Sequence, residues 1–227
     1  MKKIPDPKIL NNSNNVYRPS DDSFMIIDYL KENITQSHFD GLEFNSIKNV
    51  LDMGTGTGII AIFLLSIKKY YPNFKSTIYA SDILKEAIDC AKLNEGLNDF
   101  QEEIIFLQSD LFKSFPQSLK QKFNIIIFNP PYLPSIEGDK ILCDLNWDGG
   151  IKGTEILGKF LDQAIEFIEL SNNKSYIYFI SSSLADIKEI DEICYNKGFI
   201  NKILTKKHVF FEDLILNRLE MKKGSSI

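Results

Sequence analysis

The chain has 227 residues, 44% of them hydrophobic and 25% charged, enough to fill the core of one α/β domain and in the range of a soluble globular protein. A net charge of −5 and a pI near 5.2 argue against a broad nucleic-acid-binding face, and Lys and Arg are scattered, not massed in a tail. Cys90, Cys143 and Cys194 lack paired metal spacing, "MKKIPDPKIL" lacks a signal-peptide core and "GIIAIFLLSI" is too short to span a bilayer, so a cytoplasmic protein with reduced thiols and no metal is expected.

In chain order, the polar loop "NNSNN" (11–15) precedes "SDDSFMIIDYLKENI", whose capping residues and helical apolar spacing predict a helix beginning near Asp22. From Ile47 onward strand-like and helical runs alternate. Strands are expected at "IKNVLDM", "STIYASD", "EEIIFLQ", "FNIIIF" and "KSYIYFIS". Helices are expected between them, at "GIIAIFLLSIKKY", "LKEAIDCAKLNEGL", "TEILGKFLDQAIEFIEL" and "LADIKEIDEICYNKG". Strands separated by single helices imply right-handed crossovers and a doubly wound, mainly parallel sheet. "FINKILTKKHVFFEDLILNRLE" breaks the rhythm and reads as an antiparallel hairpin, which completes seven strands. With no repeat and no shift in composition, residues 1–227 read as a single domain.

Chemistry gathers where the strands end. "VLDMGTGTG" places Asp52, Gly54, Gly56 and Gly58 between the first strand and a helix. Glycines admit a ligand to the backbone, but the spacing is not G-x-G-x-x-G, and an acid beside the loop suits a cationic or hydroxyl-rich ligand better than a pyrophosphate. The second strand ends in Asp82, placed to accept ribose hydroxyls, and the third in Asp110, with Leu111 behind it to pack on a base. Any one of these acids would pass as a helix cap. Three at successive strand ends mark a binding edge.

The fourth strand ends in "NPPY", Asn129 to Tyr132. In this order, Asp52–Gly58, Asp82, Asp110 and NPPY resemble a class I S-adenosylmethionine-dependent methyltransferase, over roughly residues 17–220. "YRPSDDSF" (17–24) and "WDGGIKGTEILGKFL" (147–161) are similar to segments of the HemK-like release-factor glutamine methyltransferases of archaea and eukaryotes. The resemblance implies a Rossmann-like sheet with the third strand on one edge. It implies S-adenosylmethionine as cofactor, with residues 1–22 a leader whose Tyr17 and Pro19 close the pocket and Ser23 placing a hydroxyl near the cofactor carboxylate. It also implies that Asn129 and Pro130 hold a planar NH₂ group for methylation: the Asn129 side-chain oxygen and the Pro130 carbonyl accept its two N–H bonds. Pro131 restrains the backbone before it and Tyr132 stacks on the flat group. Trp147 either touches substrate or packs the loop. His38 and His208 are isolated and carry no expectation of catalysis.

The implied acceptor is the glutamine of a Gly-Gly-Gln loop in a peptide chain release factor. NPPY-type motifs also serve enzymes that methylate exocyclic amines of adenine or guanine in RNA or DNA, and lysine methylation or non-catalytic cofactor binding stay open as further alternatives. The resemblance finally implies a small zinc-binding activator protein along the third-strand edge, where "EEIIFLQ" carries few of the charges that blunt a free edge. Residues 135–143 match no pattern.

Overall fold

A computed structural model describes residues 4–11, 13–135, 148–170 and 174–222. Helix α1 (Asp21–Asn33) leads into a small hairpin, β1 (His38–Phe39) and β2 (Leu42–Glu43). Then follow β3 (Asn49–Met53), α2 (Ile59–Tyr70), β4 (Thr77–Asp82), α3 (Lys85–Leu97), β5 (Ile104–Gln108) and β6 (Ile125–Phe128). The order closes with α4 (Glu155–Phe167), β7 (Tyr176–Ser182), α5 (Ile187–Asn196), β8 (Phe199–Val209) and β9 (Glu212–Met221). The large sheet has seven strands in the order β5-β4-β3-β6-β7-β9-β8, parallel up to β7 and antiparallel across β9 and β8. The order reverses between β3 and β6, so the crevice at their carboxyl ends is the switch point where such sheets take ligands.

The core has two halves, one on each face. Residues of α1 and α2, among them Ile26, Leu30 and Phe63, pack on one face, and α4 and α5 cover the other through Leu157, Phe160 and Ile190. All four residues of β6 and all seven of β7 are buried, as expected of strands covered on both sides.

The element ends differ from the sequence reading for local reasons. The carboxamide oxygen of Asn124 accepts the Lys48 and Asn49 amides at 2.7 and 3.3 Å, which trims β3 and β6 at their starts. Helix α4 stops at Phe167 because Ile168 turns extended and bridges to Phe123. Helix α5 starts late, capped by Asp186, whose carboxylate accepts the Glu189 amide at 3.1 Å. The hairpin β1–β2 was not foreseen. Its turn is Asp40-Gly41, both at positive φ, and the partly buried Asp40 carboxylate receives the Tyr178 hydroxyl at 2.7 Å and the Arg218 guanidinium at 2.6 Å.

The chain before α1 is fastened to α3 by two side-chain amides. Asn98 accepts the Lys8 amide at 2.8 Å and donates to the Lys8 carbonyl at 2.7 Å, and Asn94 does the same for Leu10 at 2.8 and 2.9 Å. Among the described residues no helix is long and apolar enough to cross a membrane.

Candidate active site

A cavity of about 450 Å³ opens at the carboxyl ends of β3, β4, β5 and β6. Its wall brings together Tyr17, Pro19, Ser23, Gly54, Gly56, Asp82, Asp110, Leu111 and Asn129 through Tyr132, residues that lie far apart in sequence. Two expected residues are not on that wall: Asp52 and Gly58. Trp147 and residues 136–143 fall outside the described residues.

Asp52 sits beneath the glycine loop, 1% exposed. Its Oδ2 accepts the Thr55 hydroxyl at 2.6 Å and the Ala61 amide, in the first turn of α2, at 3.1 Å. The helix therefore takes its side-chain cap from an acid on the preceding strand, while Gly58 occupies the N-cap position at φ 84° with no side chain to offer. Burial pushes the Asp52 carboxyl up to about 7, against the two hydrogen bonds that favour its charge. The glycine at 58 is dictated by contact as well as by φ: a Cβ there would lie 2.9 Å from the Ala91 Cβ.

The loop is latched to β4. Thr55 donates its amide to the Ser81 carbonyl at 2.9 Å, and Gly56 donates to Asp82 Oδ2 at 2.9 Å. Asp82 Oδ1 takes the Leu84 amide at 3.0 Å. With these N–H groups engaged, the loop is no phosphate cradle. Asp82 keeps unused lone pairs on a buried carboxylate, and burial raises its pKa against the pull of the Leu84 and Gly56 amides. Asp110 stands at the mouth, half exposed, bonded to Lys113 at 2.5 Å, with Leu111 at positive φ beside it.

Asn129 follows β6 directly. Its Oδ1 is buried and has no hydrogen-bond partner among the described residues. A buried acceptor left open costs about 1–3 kcal/mol, which a donor entering the cavity would recover. The glycine-rich segment explains why the motif stays in place. Gly149 donates its amide to the Leu133 carbonyl at 2.9 Å and Ser135 donates to the Gly150 carbonyl at 2.8 Å. At Gly153 a Cβ would stand 2.4 Å from the Tyr132 carbonyl oxygen, so a larger residue would displace the motif.

Asp22 is the residue that sequence reasoning missed. Buried at the start of α1, its Oδ2 accepts the Tyr17 hydroxyl at 2.7 Å and the Tyr132 hydroxyl at 3.1 Å, and its Oδ1 accepts the Ser23 hydroxyl at 3.1 Å. One carboxylate thus ties the leader, α1 and the NPPY loop together. Burial first, then the Asp22 charge, raises both phenol pKa values, so the tyrosines act as donors. Two adjacent acids in a first helical turn read as favourable to the helix dipole, and nothing local distinguishes Asp22 from Asp21. His38 and His208 do not line the cavity.

The acids and the open acceptor fit a cofactor that carries a diol and a positive charge, bound beside a planar donor group. Comparisons with known proteins agree. Residues 28–143, about half the chain, match the family model of the methyltransferase small domain. A candidate protein N5-glutamine methyltransferase of Methanocaldococcus jannaschii is 33% identical over 203 residues, 88% of this chain and 89% of that protein. The release factor glutamine methyltransferase of Leptospira interrogans is 39% identical over 72% of this chain, which spans 57% of that relative. Among solved structures, the E. cuniculi Mtq2–Trm112 complex, responsible for methylation of the eRF1 translation termination factor, aligns with a TM-score of 0.60 at 22% identity, covering 92% of this chain and 99% of that one. That last likeness is one of fold.

Proposed function

The chain belongs to the methyltransferase small domain family, and from that premise we propose that it methylates the side-chain amide nitrogen of a glutamine in the Gly-Gly-Gln loop of a translation termination factor, in the cytoplasm, as one catalytic unit. The observation that carries this reading is the buried Oδ1 of Asn129 on the cavity wall, without a partner among the described residues. An acceptor fixed there takes one N–H of a carboxamide, and the Pro130 carbonyl takes the other. Tyr132, held by Asp22, offers a flat face against the amide. Accepting both N–H bonds favours positive charge growing on a nitrogen whose lone pair is otherwise delocalised, and the proton leaves after transfer, so no strong base is needed.

S-adenosylmethionine, when bound, supplies an electrophilic methyl group on a sulfonium. Asp82 holds its ribose hydroxyls, Asp110 and Leu111 meet its base, Gly54 and Gly56 let it approach the backbone, and Ser23, Tyr17 and Pro19 close over its other end. Asp52 and Gly58 act behind this surface by shaping the loop.

The names of the Methanocaldococcus and Leptospira relatives support glutamine as acceptor. A release factor and its loop Gln→Ala mutant, offered beside RNA and DNA with labelled cofactor, test it. Label is expected on the intact factor alone. Label on the mutant, or more label on nucleic acid, rejects the substrate.

An activator chain belongs to the same reading. Strand β5 ends the sheet, Ile105 is 43% exposed and Phe106 and Leu107 are half-buried, whereas β8 at the opposite edge carries Lys202, Lys206 and Lys207. A small zinc-binding protein adding a strand to β5 would cover the apolar edge, and the Mtq2–Trm112 neighbour was solved as a complex of two proteins. Ile105→Asp is expected to abolish the pairing in co-purification. A monodisperse, fully active chain with no partner would exclude it.

A further inference from the structure

The hairpin that closes the sheet ends in an unusual turn. Val209 pairs with Glu212, so Phe210 and Phe211 are the two loop residues, and they are 87% and 94% exposed. Phe210 stands at φ 53°. Two-residue hairpin turns favour Gly, Asn or Asp where φ is positive, and a bulky aromatic there is strained. Turn formation alone would select against the aromatic at 210. Something other than the turn keeps it.

The tip is fixed to the rim of the cavity. Lys207 donates to Asp21 at 2.7 Å, one residue from Asp22. Glu212 receives the Ser182 hydroxyl, and its charge contributes to the raised pKa of Tyr132. Asp213 and Ser183 exchange hydrogen bonds at 2.8 and 2.9 Å, joining the tip to the loop that carries Leu184, itself 54% exposed. That loop touches the glycine segment in turn: Asp186 donates to the Lys152 carbonyl at 3.3 Å, and next to Lys152 is Ile151, 81% exposed. Four apolar side chains thus stand on loops bonded one to the next, of which the glycine segment packs against the Tyr132 backbone.

We infer that Phe210 and Phe211, with Leu184 and Ile151 beside them, form the docking surface for the protein that presents the acceptor amide. The inference rests on the proposed acceptor being a protein. Leu214 pairs with Ser182 at the carboxyl end of β7, so the hairpin tip projects from the same end of the sheet as Asn129, and a protein presenting a group to Asn129 meets aromatic side chains there, the kind that most often dominate interface energy. The patch is continuous with the candidate active site, which commits it to the acceptor instead of a lipid surface or a second copy of the chain.

The test uses binding and transfer separately. The double variant Phe210→Gly, Phe211→Ser removes both rings and relieves the positive φ, so its melting temperature should not fall. The chain, purified with any activator that accompanies it, is titrated with a release factor whose loop glutamine is Ala, which measures docking without turnover. The variant is expected to bind the factor about tenfold or more weakly, with unchanged S-adenosylmethionine affinity. Equal affinities, no factor binding by the wild type, or a loss confined to self-association or to vesicle binding would each overturn the docking surface. Wild-type binding that depends on the rings but yields no label on the intact factor would strike the proposed reaction and leave the docking surface standing. Label with equal affinities would do the reverse.

Discussion

Replacing Asp52 by Asn should make the ligand-free protein progressively more stable relative to wild type as pH rises from about 4 to 7, with little further change above. Burial raises this carboxyl from 3.8 to about 7, so between those values the folded chain holds a proton that the unfolded chain has released. Where the folded state binds more protons, stability falls as pH rises. The favourable contribution is complete below the unfolded value and is lost as pH rises through the folded one. A difference of about three pH units at about 1.4 kcal/mol each corresponds to about 4 kcal/mol, undiminished by solvent because the group is 1% exposed. Asn keeps one oxygen for Thr55 and Ala61 but carries no titrating proton, and the packing change adds a term that does not vary with pH. Urea unfolding of both proteins from pH 5 to 8 isolates the proton: the stability of Asp52→Asn relative to wild type should rise by about 3 kcal/mol across that range, mostly before pH 7. A constant difference, or one that shrinks as pH rises, would refute the assignment of a buried, reluctant carboxylate beneath the loop.

Three other changes probe the cofactor edge and the motif. Asp82→Ala should weaken S-adenosylmethionine by about tenfold or more, since hydrogen bonds to a charged group contribute about 1.5–3 kcal/mol each, and it also frees the Gly56 amide; unchanged affinity by calorimetry would remove Asp82 from the site. Asn129→Ala should fold and keep most of its cofactor affinity while methyl transfer drops on the order of 10²-fold; near-normal turnover would mean other groups hold the amide. Gly58→Ala combines a left-handed φ with a Cβ only 2.9 Å from Ala91, for a loss of about 2–5 kcal/mol by denaturant titration, and a loss below about 1 kcal/mol would show that α2 and α3 simply move apart.

The parallel strands and their acidic ends were legible because each depends on a local pattern: buried β-branched runs, a glycine loop, an acid where the run stops. Direction was not legible. Asp52 and Asp82 look alike in sequence, yet one turns under the loop to cap α2 and the other lines the cavity, a choice made by packing against Thr55 and Ala61. Asp22 escaped because its partners, Tyr17 and Tyr132, meet it only in the folded chain, Tyr132 from 110 residues away. The hairpin β1–β2 was legible and overlooked: "FDGL" carries the Asp-Gly pair that a tight primed turn demands.

The grip of Asn94 and Asn98 on the leader works like the teeth of a rack. Two residues of extended chain advance about 6.6 Å, close to the roughly 6 Å between residues four apart on a helix, so Lys8 and Leu10 meet the two amides together. In the leader both amides hold main-chain atoms only, which leaves the side chains at those two positions outside the fastening. Lengthening the chain by one residue between them would misalign one tooth whenever the other engaged. An insertion between Leu10 and Tyr17 would keep both teeth and let out slack in the strap that carries Tyr17 to Asp22. Spelling at Lys8 and Leu10 is thus open to drift, while spacing is metered by a neighbouring helix.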